Sequence, residues 1–493
     1  MDLQDYIPLR SLPLWLLPLA VAVLFLAYSS DGLDVPTARF SRLLPNIINR
    51  QLFYVAGPAQ IQQGYDKYKH RPFRILKPEG DLIVLPAKYL DEVRQASPKK
   101  LGVLEAEFKN ALGDYTVGSG LAAQALSQMN PVLNHIIPRV IVELQHAMTL
   151  ELPPCKGEWT SINLYSTVLR LVSRAISCVT VGDIICRDEQ WLDTVSSYIA
   201  DMDLAIATLR PIPSFLHPLV ARFLPSVERL RYQFSWVQHE LLIPMVKTRR
   251  FAEDNDPHYQ KPDDLIQWTM DLAHNGFDRD PAHIAREVMT VTSLTMIRSS
   301  AILLTQALYD LIAQPEYLEP LREEVRETFR DGWANVTQGK LRAQHRLDSF
   351  LRESRRWNPS QELNVHRIVK RHLIFSDGLT IPKGAYICFA TGPMSRDVTI
   401  MPGVDYFNGF RWCKNNPANT GLASLHFGID RGACPGRFVA VNTAKLVMSR
   451  LLQDYDFKFE GELEGEGRPA NIRIGEQILP DTTVQVMIRE VRK

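Results

Sequence analysis

One cysteine in the C-terminal part of the chain has the surroundings of a metal ligand. Cys434 lies in the run 427–437, which reads Phe-Gly-Ile-Asp-Arg-Gly-Ala-Cys-Pro-Gly-Arg. A metal-binding cysteine must be a thiolate, and the free N–H groups and partial positive charge of a helix N-terminus stabilise that anion. Pro435 suits a first helical turn, and glycine lets the backbone approach a flat ligand closely. The pattern predicts that Cys434 is the single protein ligand of a haem iron.

For an isolated cysteine, the alternative is a buried structural thiol that follows a glycine turn. The loop opens onto an apolar stretch in which Ala440, Ala444, Val447 and Leu451 recur at helical spacing. Residues 438–452 are therefore predicted to form the helix that would stabilise a thiolate.

A second motif lies upstream of the cysteine. Glu353 and Arg356 are three residues apart, on one face of a predicted helix that ends near Pro359. Taken alone, such a pair is usually a solvated salt bridge that contributes less than about 1 kcal/mol.

The elements that must position these residues are mostly helical. With 493 residues, of which 45% are hydrophobic, the chain can bury a large core. Helical spacing predicts helices at residues 159–180, 189–210, 282–313 and 320–330. A polar loop is predicted at 253–264, and short β-like runs occur at 82–85, 368–375 and 482–488. The predicted fold class is mainly α with a small β region.

Composition argues against several classes of function. The 56 Lys and Arg residues balance the 55 Asp and Glu residues, so no basic field indicates nucleic-acid binding. The six cysteines form no C-x-x-C pair and no zinc-like spacing, which suits a reducing compartment with free thiols. The sequence contains neither the Gly-x-Ser-x-Gly nor the His-Glu-x-x-His motif of common hydrolases.

The N-terminal segment is different in character. Residues 12–28 carry no charge and would reach about 25 Å as a helix, the short end of a membrane span. A secretory signal normally begins with basic residues, whereas this chain begins with two aspartates. Three arginines between residues 39 and 50 favour a cytosolic location for the rest of the chain. We expect a membrane anchor at 1–32 and a catalytic domain at 33–493, with a cleaved signal peptide as the alternative.

The Glu-x-x-Arg pair, followed by the Phe-Gly-x-x-x-x-x-Cys-x-Gly loop, resembles the cytochrome P-450 superfamily of haem-thiolate oxygenases. The segment 407–412 between them, Phe-Asn-Gly-Phe-Arg-Trp, is similar to that family's arginine-bearing segment. By this resemblance, Arg411 joins Glu353 and Arg356 in a buried charge triad, and the three residues are structural. The resemblance covers the chain after the anchor and is closest to fungal members of the endoplasmic reticulum.

The resemblance implies that haem b (iron protoporphyrin IX) lies between a long distal helix and the helix after the cysteine loop. Cys434 would be the axial ligand of the iron. Phe427 would shield its sulfur, and Arg367 matches a position that commonly contacts a haem propionate, with a surface arginine as the alternative. The implied electron donor is NADPH, through a membrane-bound NADPH–cytochrome P-450 reductase. The implied location is the endoplasmic reticulum membrane, single-pass, with the catalytic domain in the cytosol.

The cysteine loop departs from the family pattern at two positions. Family members usually have glycine where this chain has Asp430. Many also place a basic residue at the position of Gly432, where it holds a propionate. Arg431, one position earlier, is expected to compensate, and weaker retention of haem is the alternative.

The sequence of the predicted distal helix departs more strongly from the family pattern than the cysteine loop does. Family members that activate oxygen usually have an acid followed by threonine, and the corresponding stretch 295–299 ends in Arg298 and Ser299. A charge in an apolar helix needs a partner or water. Arg298 is predicted either to form a structural ion pair or face solvent, or to clamp an anionic or carbonyl group of the substrate near the iron. Ser299 keeps a hydroxyl that can hold a water for proton relay.

We expect monooxygenation of a lipophilic small molecule, and the resemblance suggests terpenoids, alkaloids or polyketides of fungal secondary metabolism. The alternative within the same fold is rearrangement, dehydration or cyclisation without normal oxygen activation, which Arg298 at the acid position favours. A haem-containing binding protein without turnover is a third possibility. Consumption of NADPH coupled to product formation separates the first from the other two.

Overall fold

The computed structural model describes residues 33–116, 129–413, 425–429, 432–461 and 467–491. The predicted anchor at 1–32, with its span at 12–28, lies outside the described residues, and so do Asp430 and Arg431.

Helices dominate the described chain, because most segments carry apolar residues at helical spacing. The α-helices are α1 (Asn46–Tyr68), α2 (Leu90–Gln95), α3 (Leu104–Asn110), α4 (Gly113–Thr116), α5 (Met129–Glu151), α6 (Leu164–Thr180), α7 (Glu189–Leu209), α8 (His217–Ala221), α9 (Pro225–Trp236), α10 (Ile243–Asn255), α11 (Leu265–Leu272), α12 (Pro281–Thr290), α13 (Ser299–Ala313), α14 (Leu318–Thr328), α15 (Gln338–Arg342), α16 (His345–Trp357), α17 (Thr391–Ser395) and α18 (Arg437–Asp454). Two π-helical stretches, Val237–Leu242 and Val291–Arg298, join α9 to α10 and α12 to α13.

Short strands build the small β part. The strands are β1 (Thr37–Ala38), β2 (Phe73–Ile75), β3 (Leu82–Leu85), β4 (Leu101–Gly102), β5 (Thr160–Asn163), β6 (Asn364–Val369), β7 (Leu373–Ile374), β8 (Thr380–Ile381), β9 (Tyr386–Phe389), β10 (Tyr455–Phe459), β11 (Ile472–Ile474), β12 (Gln477–Leu479) and β13 (Gln485–Glu490). The largest described sheet has the strand order β1-β2-β3-β9-β6-β4. A three-stranded sheet has the order β10-β13-β5, and β7-β8 and β11-β12 are two-stranded.

One helix prediction is wrong in its first part. The range 159–180 was predicted as helix, but Thr160–Asn163 pairs with β13 as an antiparallel strand. The helix starts only after Asn163, whose side-chain oxygen accepts a hydrogen bond from the backbone N–H of Ser166 at 2.9 Å. This cap satisfies a donor that has no partner within the helix and thereby sets the start of α6.

Other predicted boundaries differ from the observed ones by a few residues. The predicted loop at 253–264 begins later, because α10 continues to Asn255. The run 368–375 divides into the end of β6 and the separate strand β7. The run 482–488 is extended only from Gln485 onward, since the Asp481 side chain accepts a hydrogen bond from the backbone of Thr483 in a turn, at 2.9 Å. The predictions at 82–85 and 189–210 agree with β3 and α7.

The helical run Pro281–Ala313, which comprises α12, the π-helical stretch and α13, forms the centre of the fold. Its C-terminal half packs against α6, α16 and α18, and its π-helical stretch packs against α6 and α7. Among the described residues it is the one helix long and apolar enough to cross a membrane, yet most of it is buried in protein. It is therefore a core helix of the domain and not the predicted anchor.

Candidate active site

The cysteine loop is a tight turn that ends at the start of α18. The backbone N–H of Cys434 donates to the carbonyl of Phe427 at 2.7 Å, and that of Gly432 donates to Ile429 at 2.9 Å. Gly428 has a φ of 73°, and a side chain there would place its Cβ 2.6 Å from the Gly432 carbonyl oxygen. Glycine is thus required at position 428 for both backbone conformation and space.

The thiol of Cys434 is accessible and desolvated at the same time. The residue is exposed to solvent, yet desolvation by the surrounding protein raises the pKa of its thiol. The backbone N–H of Gly436 and the guanidinium groups of Arg437 and Arg355 act in the opposite direction, because they favour the thiolate. A side chain that is both accessible and desolvated lines a cavity, which is the arrangement that a bound planar ligand requires.

Arg367 explains why the loop has glycine at position 432. A Cβ on Gly432 would lie 2.4 Å from Nη2 of Arg367, so this guanidinium occupies the space into which a longer side chain would project. The Arg367 side chain also donates a hydrogen bond from Nη1 to the carbonyl of His366, at 2.7 Å. Arg367 therefore fits a propionate from the neighbouring strand β6, at the place where the family pattern uses a loop residue. Arg431, predicted for this role, lies outside the described residues.

Glu107 is a charged group that interacts with Arg367, and sequence reasoning missed it. It is exposed, but desolvation raises the pKa of its carboxyl, while Arg367 opposes the rise. Desolvation lowers the pKa of Arg367, and Glu107 opposes that fall. Helix α3 carries Glu107 at a position without any sequence motif, so only the fold brings the two residues together.

A further basic side chain, Arg355, lies on the cysteine side. The guanidinium of Arg355 lies 3.7 Å from the ring centroid of Phe427, a cation–π contact. Desolvation, followed by repulsion from Arg352, lowers the pKa of Arg355 to about 9, and Cys434 opposes the fall. Arg355 immediately precedes Arg356 of the Glu-x-x-Arg motif, but its neighbours could not be read from that motif.

Glu353, Arg356 and Arg411 meet in one buried cluster. Both oxygens of Glu353 accept hydrogen bonds from Arg356, Nε at 2.9 Å and Nη2 at 2.7 Å, and Arg411 Nε lies 3.2 Å from Glu353. Trp412 Nε1 donates to the same carboxylate at 2.8 Å, and the backbone N–H of Asn408 donates at 2.9 Å. The sequence spacing predicted the Glu353–Arg356 pair and the family resemblance added Arg411, but neither predicted the contribution of Trp412.

The cluster ties α16 to the chain that precedes the cysteine loop. Arg356 Nη1 donates to the carbonyls of Ser395 and Val404 at 3.1 and 2.8 Å, and Nη2 donates to Tyr406 at 3.1 Å. Burial alone would raise the pKa of Glu353, but the hydrogen bonds and positive charge of Arg356 lower it overall. The carboxylate is therefore held ionised in the interior.

On the distal helix, Arg298 forms an ion pair. Its Nε lies 2.8 and 3.0 Å from the two oxygens of Asp203 on α7, and its Nη2 lies 2.8 Å from one of them. Of the two alternatives for Arg298, the structure contains the ion pair, and sequence reasoning did not identify Asp203 as the partner. Nearly a hundred residues separate the two in the chain, so no local pattern could have done so.

Ser299 faces open space in an otherwise buried helix. It is exposed, as is Thr295 one turn earlier, and its hydroxyl donates to the carbonyl of Thr295.

The residues present fit a haem: an accessible, desolvated thiol at a helix N-terminus, an arginine at the loop edge, and a helix with exposed hydroxyls in the same fold.

Known proteins resemble this chain over nearly its whole length. A family model described as Cytochrome P-450 matches residues 125–471. The chain is 41% identical to the cytochrome P-450 monooxygenase penP of Penicillium crustosum, over 97% of this chain and 95% of that protein. It is also 41% identical to the cytochrome P-450 monooxygenase paxP of Penicillium paxilli, over 99% of both chains. A third relative, the cytochrome P-450 monooxygenase AtmP of Aspergillus flavus, is 41% identical over 96% of this chain and 94% of its own.

Proposed function

This chain belongs to the cytochrome P-450 family and is a monooxygenase, and we propose that it oxidises a lipophilic product of fungal secondary metabolism with haem b bound through Cys434. The observation that carries the proposal is the Cys434 thiol, which is accessible and lies just before the N-terminal end of α18. The fungal origin of the relatives supports the substrate class, with terpenoids, alkaloids and polyketides as leading candidates.

Each residue of the cysteine side has a separate task. When bound, haem supplies the iron at which dioxygen is reduced. Cys434 provides the thiolate, and the N–H of Gly436 together with Arg437 and Arg355 stabilises its negative charge. Arg367 would hold a propionate, and the carbonyl of Phe427 accepts a hydrogen bond from the Cys434 backbone N–H and so fixes the turn.

The reaction requires two electrons and two protons besides dioxygen and substrate. One oxygen atom enters a C–H bond of the substrate to give an alcohol, and the other leaves as water, while NADPH becomes NADP⁺. The electrons come from NADPH through NADPH–cytochrome P-450 reductase, which we propose as the protein partner. Because residues 12–28 are uncharged and apolar, we also propose a single-pass anchor in the endoplasmic reticulum membrane with the catalytic domain in the cytosol.

The test is spectroscopic first and catalytic second. Microsomes containing this protein and the reductase are expected to give the thiolate-type carbon monoxide difference spectrum, and Cys434→Ala to abolish it. Extracts of a fungal producer of terpenoids, alkaloids or polyketides then serve as substrates, and the product is identified by mass. A wild-type preparation that binds no haem, or binds it with no thiolate signature, would contradict the proposal.

Rearrangement without oxygen activation has less support than monooxygenation. The feature that favoured it was a positive charge at the acid position of the distal helix, but Asp203 neutralises Arg298 in the structure. Relatives of nearly full length carry the name monooxygenase, which also speaks against a binding protein without turnover. Product formation without NADPH or dioxygen would reverse this preference.

A further inference from the structure

One pocket of the described structure is lined by residues other than those of the proposed haem site. It has a volume of about 500 Å³ and is bounded by α1, the end of α16 and the β11–β12 hairpin with the chain before it. This is the size of a small-molecule site. Its lining includes neither Cys434 nor Arg367 nor Ser299. The proposed function therefore gives this pocket no task.

The floor of the pocket is a polar network that holds itself together. Asp310 on α13 is fully buried and accepts hydrogen bonds from Asn358 at 3.0 and 3.1 Å and from Nε of Arg468. Asn471 donates to Asn358 at 2.7 Å, and Gln306 donates to Asn471 at 3.0 Å. Because these side chains satisfy one another, the floor has a fixed shape before any ligand arrives.

Three other lining side chains have N–H groups that no described residue uses. Arg473 on β11 is exposed, and its guanidinium has neither a hydrogen bond nor an ion pair with the described residues. Arg396 contacts both oxygens of Glu362 through Nη2, at 2.8 and 2.9 Å, which leaves its Nε and Nη1. The indole N–H of the partly buried Trp357 is the third donor. These groups can donate to a ligand in the pocket.

The charges around the pocket do not cancel. The guanidinium groups of Arg396, Arg468 and Arg473 are opposed by two carboxylates, that of Glu362 and that of Asp310 beneath the floor. Among these groups, the positive charge of Arg473 has no counterpart. A guanidinium favours a carboxylate or phosphate, which it binds through two parallel hydrogen bonds. The pocket therefore fits a ligand that carries one negative charge.

Much of the remaining lining is apolar. Pro58 and Ala59 of α1, Pro469, and Ile478 of β12 contribute apolar surface, and the ring of Trp357 adds a flat aromatic one. Removing apolar ligand surface from water contributes about 25 cal/mol per Å². A small inorganic anion cannot gain this contribution, so the pocket favours an anion that also has an apolar body.

We propose that this pocket binds an organic carboxylate with an apolar chain or ring. Arg473 and Arg396 hold the carboxylate, and the apolar body lies against Trp357, Pro58 and Ala59. A carboxylate supplies the single negative charge that balances Arg473. The inference adds a second ligand site to the protein and does not depend on the oxidation that we propose for the first.

The test measures binding of dodecanoate to the holoenzyme by isothermal titration calorimetry, below the micellar concentration. An azole that coordinates the haem iron is present at saturation, so the substrate site is occupied and contributes no heat. Dodecanoate is expected to bind at one site. Dodecanol has the same chain without the charge and should bind about tenfold more weakly. No binding of dodecanoate, or equal binding of dodecanol, would overturn the proposal.

Two arginine variants test the head of the ligand. Arg473→Gln is expected to weaken dodecanoate about tenfold and to leave dodecanol unchanged, because only the charge-assisted hydrogen bonds are lost. Arg231→Gln is the matched control, since Arg231 on α9 is also exposed and without an ion pair among the described residues. It does not line the pocket and should change neither affinity. Equal losses in both variants would mean general attraction to a positive surface and would contradict the site.

Ala59→Trp tests the body of the ligand without changing any charge. Ala59 is exposed on α1, so a larger side chain there fills the pocket and leaves the protein core undisturbed. We expect this variant to bind neither dodecanoate nor dodecanol. Unchanged dodecanoate binding in folded Ala59→Trp would place the ligand elsewhere and refute the proposal. The carbon monoxide spectrum of the same preparations reports separately on the proposed function.

Discussion

The cysteine side of the site and the distal helix differ in how their charges are held. On the cysteine side, Glu353 is fully buried and accepts hydrogen bonds from two arginines, a tryptophan and a backbone N–H. On the distal helix, Arg298 contacts one carboxylate, that of the partly exposed Asp203. The charges on the cysteine side are therefore held by several hydrogen bonds at once. The distal helix depends on that single ion pair for the charge of Arg298.

The largest expected effect comes from breaking the cluster on the cysteine side. Glu353→Ala leaves the buried Arg356 and the partly buried Arg411 without their carboxylate, and we expect a loss of about 3–5 kcal/mol in the free energy of unfolding. Denaturant titration of the holoenzyme measures it. Glu327→Ala is the control, because the Glu327–Arg330 pair is largely exposed and should contribute less than about 0.5 kcal/mol. Equal losses in the two variants would remove the contrast between buried and exposed charges.

The second effect is a pH dependence of the same cluster. The pKa of Glu353 in the folded protein is below its ordinary value of 4.5. Its stabilisation is therefore fully present above that ordinary value and is lost as the pH falls through the lower folded-state value. The stability difference between wild type and Glu353→Gln should be constant from pH 7 down to about 5 and shrink at lower pH. A difference that grows on acidification would mean that the carboxyl is neutral in the fold.

The third prediction concerns the turn that carries the thiol. Gly428→Ala forces a left-handed backbone at about 1–2 kcal/mol and also drives Cβ against the Gly432 carbonyl. Gly378→Ala is matched, since Gly378 has a φ of 87° but no atom within 4 Å of the added Cβ. We expect both variants to lose stability and only Gly428→Ala to release haem faster. Transfer of haem to apomyoglobin measures the rate. Similar rates in both variants would mean that space at position 428 is unimportant.

The smallest effect on stability is expected at the distal ion pair. Asp203→Asn should cost about 1 kcal/mol, because Asp203 is partly exposed and already solvated. The same denaturant titration measures this cost. A loss as large as that of Glu353→Ala would show that the distal pair is as structural as the buried cluster, and the contrast between the two sides would disappear.

Some of the site could be predicted because its residues are close in sequence. The cysteine loop, the Glu353–Arg356 spacing and the start of α18 depend on local geometry, which amino-acid type and spacing encode directly. The predicted helix at 282–313 agrees with Pro281–Ala313 for the same reason, since helical periodicity is a local property. The strand Thr160–Asn163 was missed because its partner, β13, lies more than three hundred residues away.

The remaining site residues come from parts of the chain that carry no motif. Asp203, Glu107 and Trp412 look like ordinary residues of their segments, and the fold alone gives them their neighbours. The π-helical stretch was also invisible, because its sequence shows the same apolar spacing as the α-helices on either side.

By itself, the sequence determined the helix after Cys434 and the mainly helical class, since each depends on residues within a few turns of one another. The ligand role of Cys434 stays a prediction. Only the tertiary structure decided which carboxylate neutralises Arg298, which arginine fills the space above Gly432 and where the distal helix widens. These depend on distant segments packing together, and a linear pattern does not carry the distances between them.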